Sequence, residues 1–291
     1  MATASSISTS TVSAEHRVRS GFGRWVVLGI LLVFLAGTLF PFFLAAVNAI
    51  KTPSDYAANG PLALPHSFDL TALKNFWATV DFPRKLFNSV LISGCTAILA
   101  VVLSLLNAYA IGIGRVRGGQ GLLVLLLISI MAPQEALVYP LYYMSKQVGL
   151  FDSMLSVILI IGVLHTAFGT YLLSSVLATF PREIIEAAQI DNASRWQILW
   201  MVIVPVLRPT LAVLATFFFI WTWNEFLIPL VFLVSNNNQT VSVAMGVLSG
   251  ANTQDPTAIA AASLLGITPT IIFFLIFQRT LTRGVAVGAV K

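Results

Sequence analysis

Residues 179–208 read TFPREIIEAAQIDNASRWQILWMVIVPVLR and form an amphipathic, polar segment between two long apolar runs. Pro181 favours the first turn of a helix, where its missing N–H costs nothing. Asn192 tolerates the left-handed conformation in which helices often end. Ser194 and Gln197 have the spacing of a capping box, which starts a second short helix. The stretch predicts a compact helix–turn–helix that connects two helices of a larger apolar bundle.

The composition identifies the solvent of that bundle. The 291 residues are 57% hydrophobic and 9% charged, whereas soluble domains are about 25% charged. Lipid solvates such a surface, and each apolar run approaches or exceeds the ~20 residues that cross ~30 Å of hydrocarbon. We predict an all-α membrane protein with six transmembrane helices at about 25–50, 87–111, 121–143, 154–178, 206–234 and 258–278.

The charged residues orient the predicted helices. With the N-terminus in the cytoplasm, 11 of the 16 basic residues fall on the cytoplasmic side, as the positive-inside rule requires. Both termini of this multi-pass chain are therefore expected in the cytoplasm. The predicted organisation is a cytoplasmic tail at 1–24, a first transmembrane helix at 25–50, an external loop at 51–85, a membrane core at 86–279 that includes 179–208, and a cytoplasmic tail at 280–291.

Several classes of function lack their sequence signals. No stretch matches the P-loop pattern for ATP, and no nucleophile–base constellation is present. The single Cys95 and three scattered histidines show no metal-ligand spacing, so neither a metal nor a cofactor is predicted. Basic residues are dispersed between apolar runs, which argues against nucleic acid. Uphill transport by this chain would require an ion gradient or a partner that hydrolyses ATP.

The 179–208 segment resembles the EAA loop of binding-protein-dependent ABC importer permeases, whose pattern is E-A-A-x3-G-x9-I-x-L-P. Here Glu186, Ala187 and Ala188 are followed at the family's spacing by Asn192 in place of glycine, and then by the residues Val202-x-Val204-Pro205. Asn shares the positive-φ role of glycine at some cost. The resemblance implies a coupling helix that docks on an ATP-binding subunit, with Glu186, Ala187, Ala188, Asp191 and Asn192 as the docking residues.

Four shorter motifs extend the resemblance to the sugar branch, the MalG-like permeases. They are Asn88-Ser89, Ala108-Tyr109-Ala110, Trp223-Asn224-Glu225-Phe226 and Gly288-Ala289-Val290-Lys291. The resemblance implies the six-helix type I ABC importer (MetI-like) transmembrane domain, with a permease core at 86–279 in a bacterial inner membrane. It also implies four partners: a second permease, a dimer of ATP-binding subunits, an extracellular solute-binding protein, and a di- or oligosaccharide substrate.

Two acids, Glu135 and Glu225, lie within membrane runs. Such a charge costs about 2.5–3.5 kcal/mol on insertion scales and marks a functional hypothesis. A candidate substrate path contains Trp221, Trp223, Asn224, Glu225 and Glu135. The structural alternative places Asn224 and Glu225 at a helix break, and Glu135 beside the break that Pro133 causes.

Two other functions remain open at this point. An ABC permease could carry glycerol phosphate or a polyol instead of a sugar. A proton-coupled secondary transporter would use Glu135, Glu225 and His165, although a satisfied structural role fits this histidine better.

Overall fold

The computed structural model describes residues 22–114, 116–251 and 255–289, and every regular element in these ranges is helical. The elements in chain order are α1 (Phe22–Ala49), α2 (Pro53–Asn59), α3 (Thr71–Thr79), α4 (Phe82–Gly112), α5 (Gly119–Ile130), α6 (Gln134–Gln147), α7 (Met154–Ala178), α8 (Arg182–Ile190), α9 (Arg195–Gln197), a π-helix (Ile198–Ile203), α10 (Val204–Asn224), α11 (Leu227–Phe232), a 3₁₀ turn (Asn236–Asn238), α12 (Val241–Ala251) and α13 (Pro256–Ala289).

The chain divides into two compact units, residues 1–44 and 45–291. In the first unit the structure describes the α1 residues 22–44, of which residues 23–43 are exposed. Most of the predicted tail at 1–24, Arg115 and the last two residues of the 288–291 motif lie outside the described residues. All the sites considered below belong to the second unit.

Five described helical stretches are long and apolar enough to cross a membrane. They are Gly23–Ala49, Phe82–Gly112, Met154–Ala178, Arg195–Asn224 and Pro256–Arg279. A sixth span is available if α5 and α6, which are bent by 98° at their junction, count as one crossing. The prediction of an all-α membrane protein is confirmed.

The pairing of α4 with α7 shows that α5 and α6 together bring the chain back along the bundle. Ser104 Oγ donates to the carbonyl oxygen of Thr166 at 3.3 Å. About two to three turns further along both helices, a Cβ built on Gly112 would lie 3.3 Å from Leu177 Cβ. Residue numbers rise together along both helices, so α4 and α7 are parallel. The α5–α6 pair must therefore return the chain to the end of the bundle at which both helices begin.

The predicted continuous helix at 121–143 is wrong, because the chain breaks between Ile130 and Gln134. Pro133 has no N–H to donate, and its ring disfavours helical geometry at Ala132. Pro133 takes an extended ψ of 127° and precedes α6 as its N-cap residue. The break therefore turns the backbone sharply, by 98°, between two apolar helices.

The predicted fifth helix at 206–234 is wrong at both ends. Its helical stretch begins at Arg195 and stops at Asn224, and the short helix α11 follows. Glu225 is extended, with ψ 130°. In a continuous helix the ring of Pro229 would clash with the carbonyl of Glu225, four residues earlier. The helix therefore breaks at this carbonyl.

The stretch predicted as an external loop contains helices, and so does the stretch between the last two predicted transmembrane helices. Segment 51–85 includes α2, α3 and the start of α4, and segment 235–256 includes α12. Helices α2 and α3 are short and polar, and the apolar α12 has only 11 residues, so none carries an apolar run long enough for hydropathy to reveal it. We call the end of the bundle where α4 and α7 begin the Lys85 end, and the opposite end the α8 end.

Candidate functional site

The two helix breaks border one cavity of about 390 Å³. This volume lies within the range of ~300–1,000 Å³ that is typical of small-molecule pockets. The lining comes from α5, the first break, α6, α7 and the end of α10. The lining residues are Ser129, Ile130, Ala132, Gln134, Leu137, Leu164, His165, Phe168, Trp221, Asn224 and Glu225.

An aromatic wall forms one side of the cavity. The Trp221 ring meets Phe168 edge-on with centroids 5.1 Å apart, and meets His165 at 5.7 Å. Behind the wall, Phe218 stacks on His165 at 5.1 Å with an interplanar angle of 11°. His165 Nε2 lies 3.3 Å from Thr222 Oγ1. These contacts hold the rings in place, so the wall is a preformed apolar surface.

Polar side chains of the lining lie at the helix breaks. Asn224 Nδ2 donates to the carbonyl of Ile220 at 2.8 Å, which fixes the amide at the end of α10. Gln134 is the first residue of α6, and Ser129 lies one residue before the end of α5. The cavity therefore combines an aromatic face with hydrogen-bonding groups.

Glu225 both lines the cavity and stabilises the second break. Its Oε1 accepts hydrogen bonds from the backbone N–H groups of Leu227 at 3.0 Å and Ile228 at 3.2 Å. The carboxylate thus satisfies two N–H donors that the start of α11 leaves free. Ser242 Oγ of α12 donates to the Glu225 carbonyl at 2.9 Å. The two roles that the sequence left open for Glu225 are both compatible with its position.

The other candidate path residues are placed differently. Trp223 is buried, and its Nε1 donates to Thr270 Oγ1 at 3.1 Å while its ring meets Phe273 at 4.7 Å. It packs α10 against α13 and is not among the lining residues. Glu135 is exposed in the first turn of α6 and lies beside the lining residue Gln134. Of the five candidates, the structure brings Trp221, Asn224 and Glu225 to the cavity.

Sequence reasoning missed much of the lining. Leu164, His165 and Phe168 share one face of α7 because their spacing follows the helical repeat. The sequence singled out His165 only for a proton-coupled transporter, and nothing else in the charge-free run of α7 distinguishes this face from those that pack against other helices. The break at Pro133 was the available signal for Ser129 and Gln134, because a broken membrane helix exposes polar groups to a cavity.

The segment at the α8 end has the predicted local structure. Helix α8 ends at Ile190, and Asn192 adopts the left-handed conformation with φ 55°. The predicted capping box is confirmed: Gln197 N–H donates to Ser194 Oγ at 3.3 Å, and Ser194 N–H donates to Gln197 Oε1 at 2.7 Å. The tyrosine hydroxyl of Tyr109, near the end of α4, donates to the Arg195 carbonyl at 3.0 Å.

Helix α8 has one packed face and one exposed face. Ile185 is buried in the main core, and Ala188 packs partly against it. Glu186, Ala187 and Ile190 are exposed, Ile190 to 81%. Within the part of the chain that the structure describes, no cation forms an ion pair with Glu186. Exposed apolar and acidic groups thus share one surface beyond the membrane spans.

Polar side chains at the Lys85 end hold the segment 235–241. Buried Lys85 donates from Nζ to Asn236 Oδ1 at 2.7 Å, and Asn88 Nδ2 donates to the Asn237 carbonyl at 2.8 Å. Asp152 accepts from the Ser235 hydroxyl and from its N–H at 3.0 Å. These bonds from Ser235 hold the pKa of the Asp152 carboxyl below its usual value. The segment leading into α12 is therefore tied to α4 and α7.

The fold and the α8 segment define the membrane domain of a type I ABC importer. The chain is similar in fold to a chain of the solved bacterial ABC transporter involved in the import of the acidic polysaccharide alginate. The TM-score is 0.74 at 21% identity, over 90% of this chain and 97% of that one. The chain belongs to the family of binding-protein-dependent transport system inner membrane components, whose model matches residues 6–287.

Two relatives support the same family. The trehalose transport system permease protein SugB of Mycobacterium tuberculosis is 32% identical over 269 residues, which are 92% of this chain and 97% of that protein. The lactose transport system permease protein LacG of Rhizobium radiobacter is 29% identical over 261 residues, which are 90% and 93% of the two chains. The family resemblance read from the EAA segment is confirmed.

Proposed function

We propose that this chain is the permease subunit of an ATP-driven ABC importer and forms half of the membrane pathway for a di- or oligosaccharide. The observation that carries the proposal is the cavity at the two helix breaks. Trp221 and Phe168 offer aromatic faces to a sugar ring, and Asn224 and Gln134 offer hydrogen bonds. Relatives named as lactose and trehalose permeases support this substrate class. An extracellular solute-binding protein delivers the sugar.

The exposed face of α8 is the proposed dock for an ATP-binding subunit. Glu186, Ala187, Ala188, Asp191 and Asn192 carry the docking, since small side chains allow close approach and Glu186 is free for a basic partner. Hydrolysis takes place in that subunit, because this sequence has no P-loop. A second, related permease completes the pathway.

The packing of α8 and α10 can transmit a movement of the docking surface to the cavity. Ile185 of α8 lies in the same core cluster as Leu207 and Phe218 of α10. Helix α10 then ends at Asn224, which lines the cavity. A displacement of α8 by the closing ATPase dimer would move α10 as a packed unit, because cores are close-packed and transmit strain. The cavity would open and close with the ATPase cycle.

A proton-coupled transporter is the second candidate, because His165 and Glu225 line the same cavity. Uptake into cells that contain the whole importer separates the two functions. The ABC permease is expected to lose uptake in the presence of vanadate, an inhibitor of ABC-type ATPases, whereas the proton-coupled transporter would lose it with a protonophore while ATP is maintained. Retention of sugar uptake under vanadate would contradict the proposal.

The aromatic wall is tested in the same importer by Trp221→Ala, with Tyr171→Ala as the matched control. The two rings are similarly exposed, 41% and 45%, but Tyr171 lies outside the cavity. Loss of one stacking platform is expected to lower sugar uptake at subsaturating sugar at least about tenfold. Equal sugar uptake by the two variants would show that the cavity is not part of the sugar path.

A further inference from the structure

We propose that this cavity selects sugars by charge: it takes uncharged glycoside units and rejects those that carry a carboxylate or a phosphate. The inference rests on the proposed function and specifies its substrate class. Among the eleven lining residues, all within the described ranges, there is one carboxylate, Glu225, and no Lys or Arg. A site that binds phosphate or carboxylate groups normally supplies such cations.

The helices that line the cavity place their cations far from it. Arg208 is 13 residues before Trp221 on the α10 helix, which is about 20 Å at 1.5 Å per residue. Lys146 of α6 is nine residues from Leu137, the nearest lining residue of that helix, or about 14 Å along the helix. Its Nζ sits over the Tyr142 ring, 4.6 Å from the centroid. Helices α5 and α7 contain no Lys or Arg.

An acid also lies at each helix N-terminus that borders the cavity. A free helix N-terminus attracts anions through its N–H groups and dipole. At α11, the Glu225 carboxylate already accepts the N–H bonds of Leu227 and Ile228. At α6, Glu135 lies in the first turn and opposes the positive end of the dipole. Glu225 therefore fills the N–H groups of α11, and the charge of Glu135 lowers the attraction of the α6 N-terminus for an anionic sugar.

Glu225 leaves a favourable contact for a neutral sugar. Its Oε2 accepts no hydrogen bond within the described residues, so a sugar hydroxyl can donate to it. A uronate or phosphate oxygen at the same place would put two like charges together, which is unfavourable without a cation. The geometry therefore distinguishes two sugars of the same size that differ only in an anionic group.

The test measures binding to the purified complex of both permeases and the ATPase, without the solute-binding protein, so that the permease alone discriminates. The probes are trehalose with trehalose 6-phosphate, cellobiose with cellobiouronic acid, and glycerol 3-phosphate. We expect the anionic member of each pair to bind at least about tenfold more weakly, and glycerol 3-phosphate to bind no better. Glu225→Gln keeps the oxygen that accepts from Leu227 and Ile228, and it should reduce the ratio of the two dissociation constants severalfold.

Asp69→Asn is the matched control, because Asp69 Oδ1 likewise accepts the N–H at the start of a helix, at Thr71, but lies outside the cavity. The ratio of the two dissociation constants for Asp69→Asn should equal the ratio for the unmodified chain. Leu137→Lys adds a cation to the lining and should strengthen binding of trehalose 6-phosphate about tenfold, which tests the proposal even if Glu225→Gln does not assemble.

Equal affinities within each pair, or tight binding of glycerol 3-phosphate, would overturn the charge selection and leave the importer assignment standing. Failure of all five probes to bind would also overturn the charge selection, because the cavity would then accept no neutral disaccharide in preference to its anionic partner, whereas the sugar path itself is tested by Trp221→Ala.

Discussion

Ser242 Oγ donates a 2.9 Å hydrogen bond to the backbone carbonyl of Glu225. This bond links α12 to the break at which α10 ends. The adjacent Phe226 packs so closely on α12 that a Cβ built on Gly246 would lie 2.9 Å from Phe226 Cζ. The shape of the cavity thus depends on a helix in a stretch that hydropathy leaves unassigned.

Ser242→Ala removes this bond and leaves the Glu225 carbonyl without its donor. We expect the complex to lose about 0.5–1.5 kcal/mol of stability. Sugar uptake at subsaturating sugar should also weaken, because the lining residue Glu225 shifts. Thermal unfolding in detergent and uptake by proteoliposomes measure the two effects. The matched control is Ser263→Ala, whose hydroxyl bonds only within α13, to the Ile259 carbonyl. Identical behaviour of the two variants would show that the Ser242 contact does not position Glu225.

Gly169→Ala is expected to destabilise the contact between α7 and α4. A Cβ at this position overlaps the Ser104 side chain and comes within 3.0 Å of Phe218 Cζ. Overpacking of this kind typically costs about 1–3 kcal/mol. Gly94→Ala is the control in α4, since a Cβ there meets nothing within 4 Å. A thermal unfolding midpoint for Gly169→Ala as high as that of Gly94→Ala would contradict the close approach.

Glu186→Lys is expected to abolish uptake by releasing the ATP-binding subunit while the membrane bundle stays folded. The side chain is exposed on α8, so its reversal leaves the isolated chain stable, but loss of a buried partner in the complex typically costs about 2–5 kcal/mol. Co-purification of the ATPase and ATP hydrolysis stimulated by the solute-binding protein measure the coupling. Glu183→Lys, one turn earlier, should have a smaller effect. Full association of the Glu186→Lys complex would exclude α8 as the dock.

Reporter fusions test the proposed orientation, with both termini in the cytoplasm. Positions near 60, 148 and 245 should report outside, and positions near 115 and 190 inside. The parallel alignment of α4 and α7 gives the expectation for position 148, because it requires the α5–α6 pair to bring the chain back along the bundle. A cytoplasmic signal at 148 would show that this pair is a re-entrant loop.

Asp152 should make the Lys85 end sensitive to acid. Its folded-state pKa is lowered by the bonds from Ser235. The ionised Asp152 carboxylate therefore contributes its full stabilisation of the folded state above the unfolded pKa of about 3.9. This contribution is lost as the pH falls through the lower pKa of the folded state. Asp152→Asn should be less stable than the unmodified chain at pH 7, and the difference should shrink below about pH 4. A difference in unfolding temperature that does not change with pH would contradict this role.

The sequence alone predicted the membrane class and the local form of the α8 segment. Apolar length is a property of consecutive residues, and the Asn192 turn and the Ser194–Gln197 capping box involve neighbours within four positions. Such local signals act before any tertiary contact forms. For the same reason the family could be read from spacing, since the EAA pattern lies within twenty residues of chain.

The tertiary structure decided where the helices break in space and what those breaks enclose. Ser129, His165 and Trp221 are far apart along the chain and meet only because α5, α7 and α10 pack together. Trp223, two residues from Trp221, points instead to Thr270 of α13. A position's helical face is visible in the sequence, but the neighbour it faces is not, because that depends on how the packed helices fill the space between them.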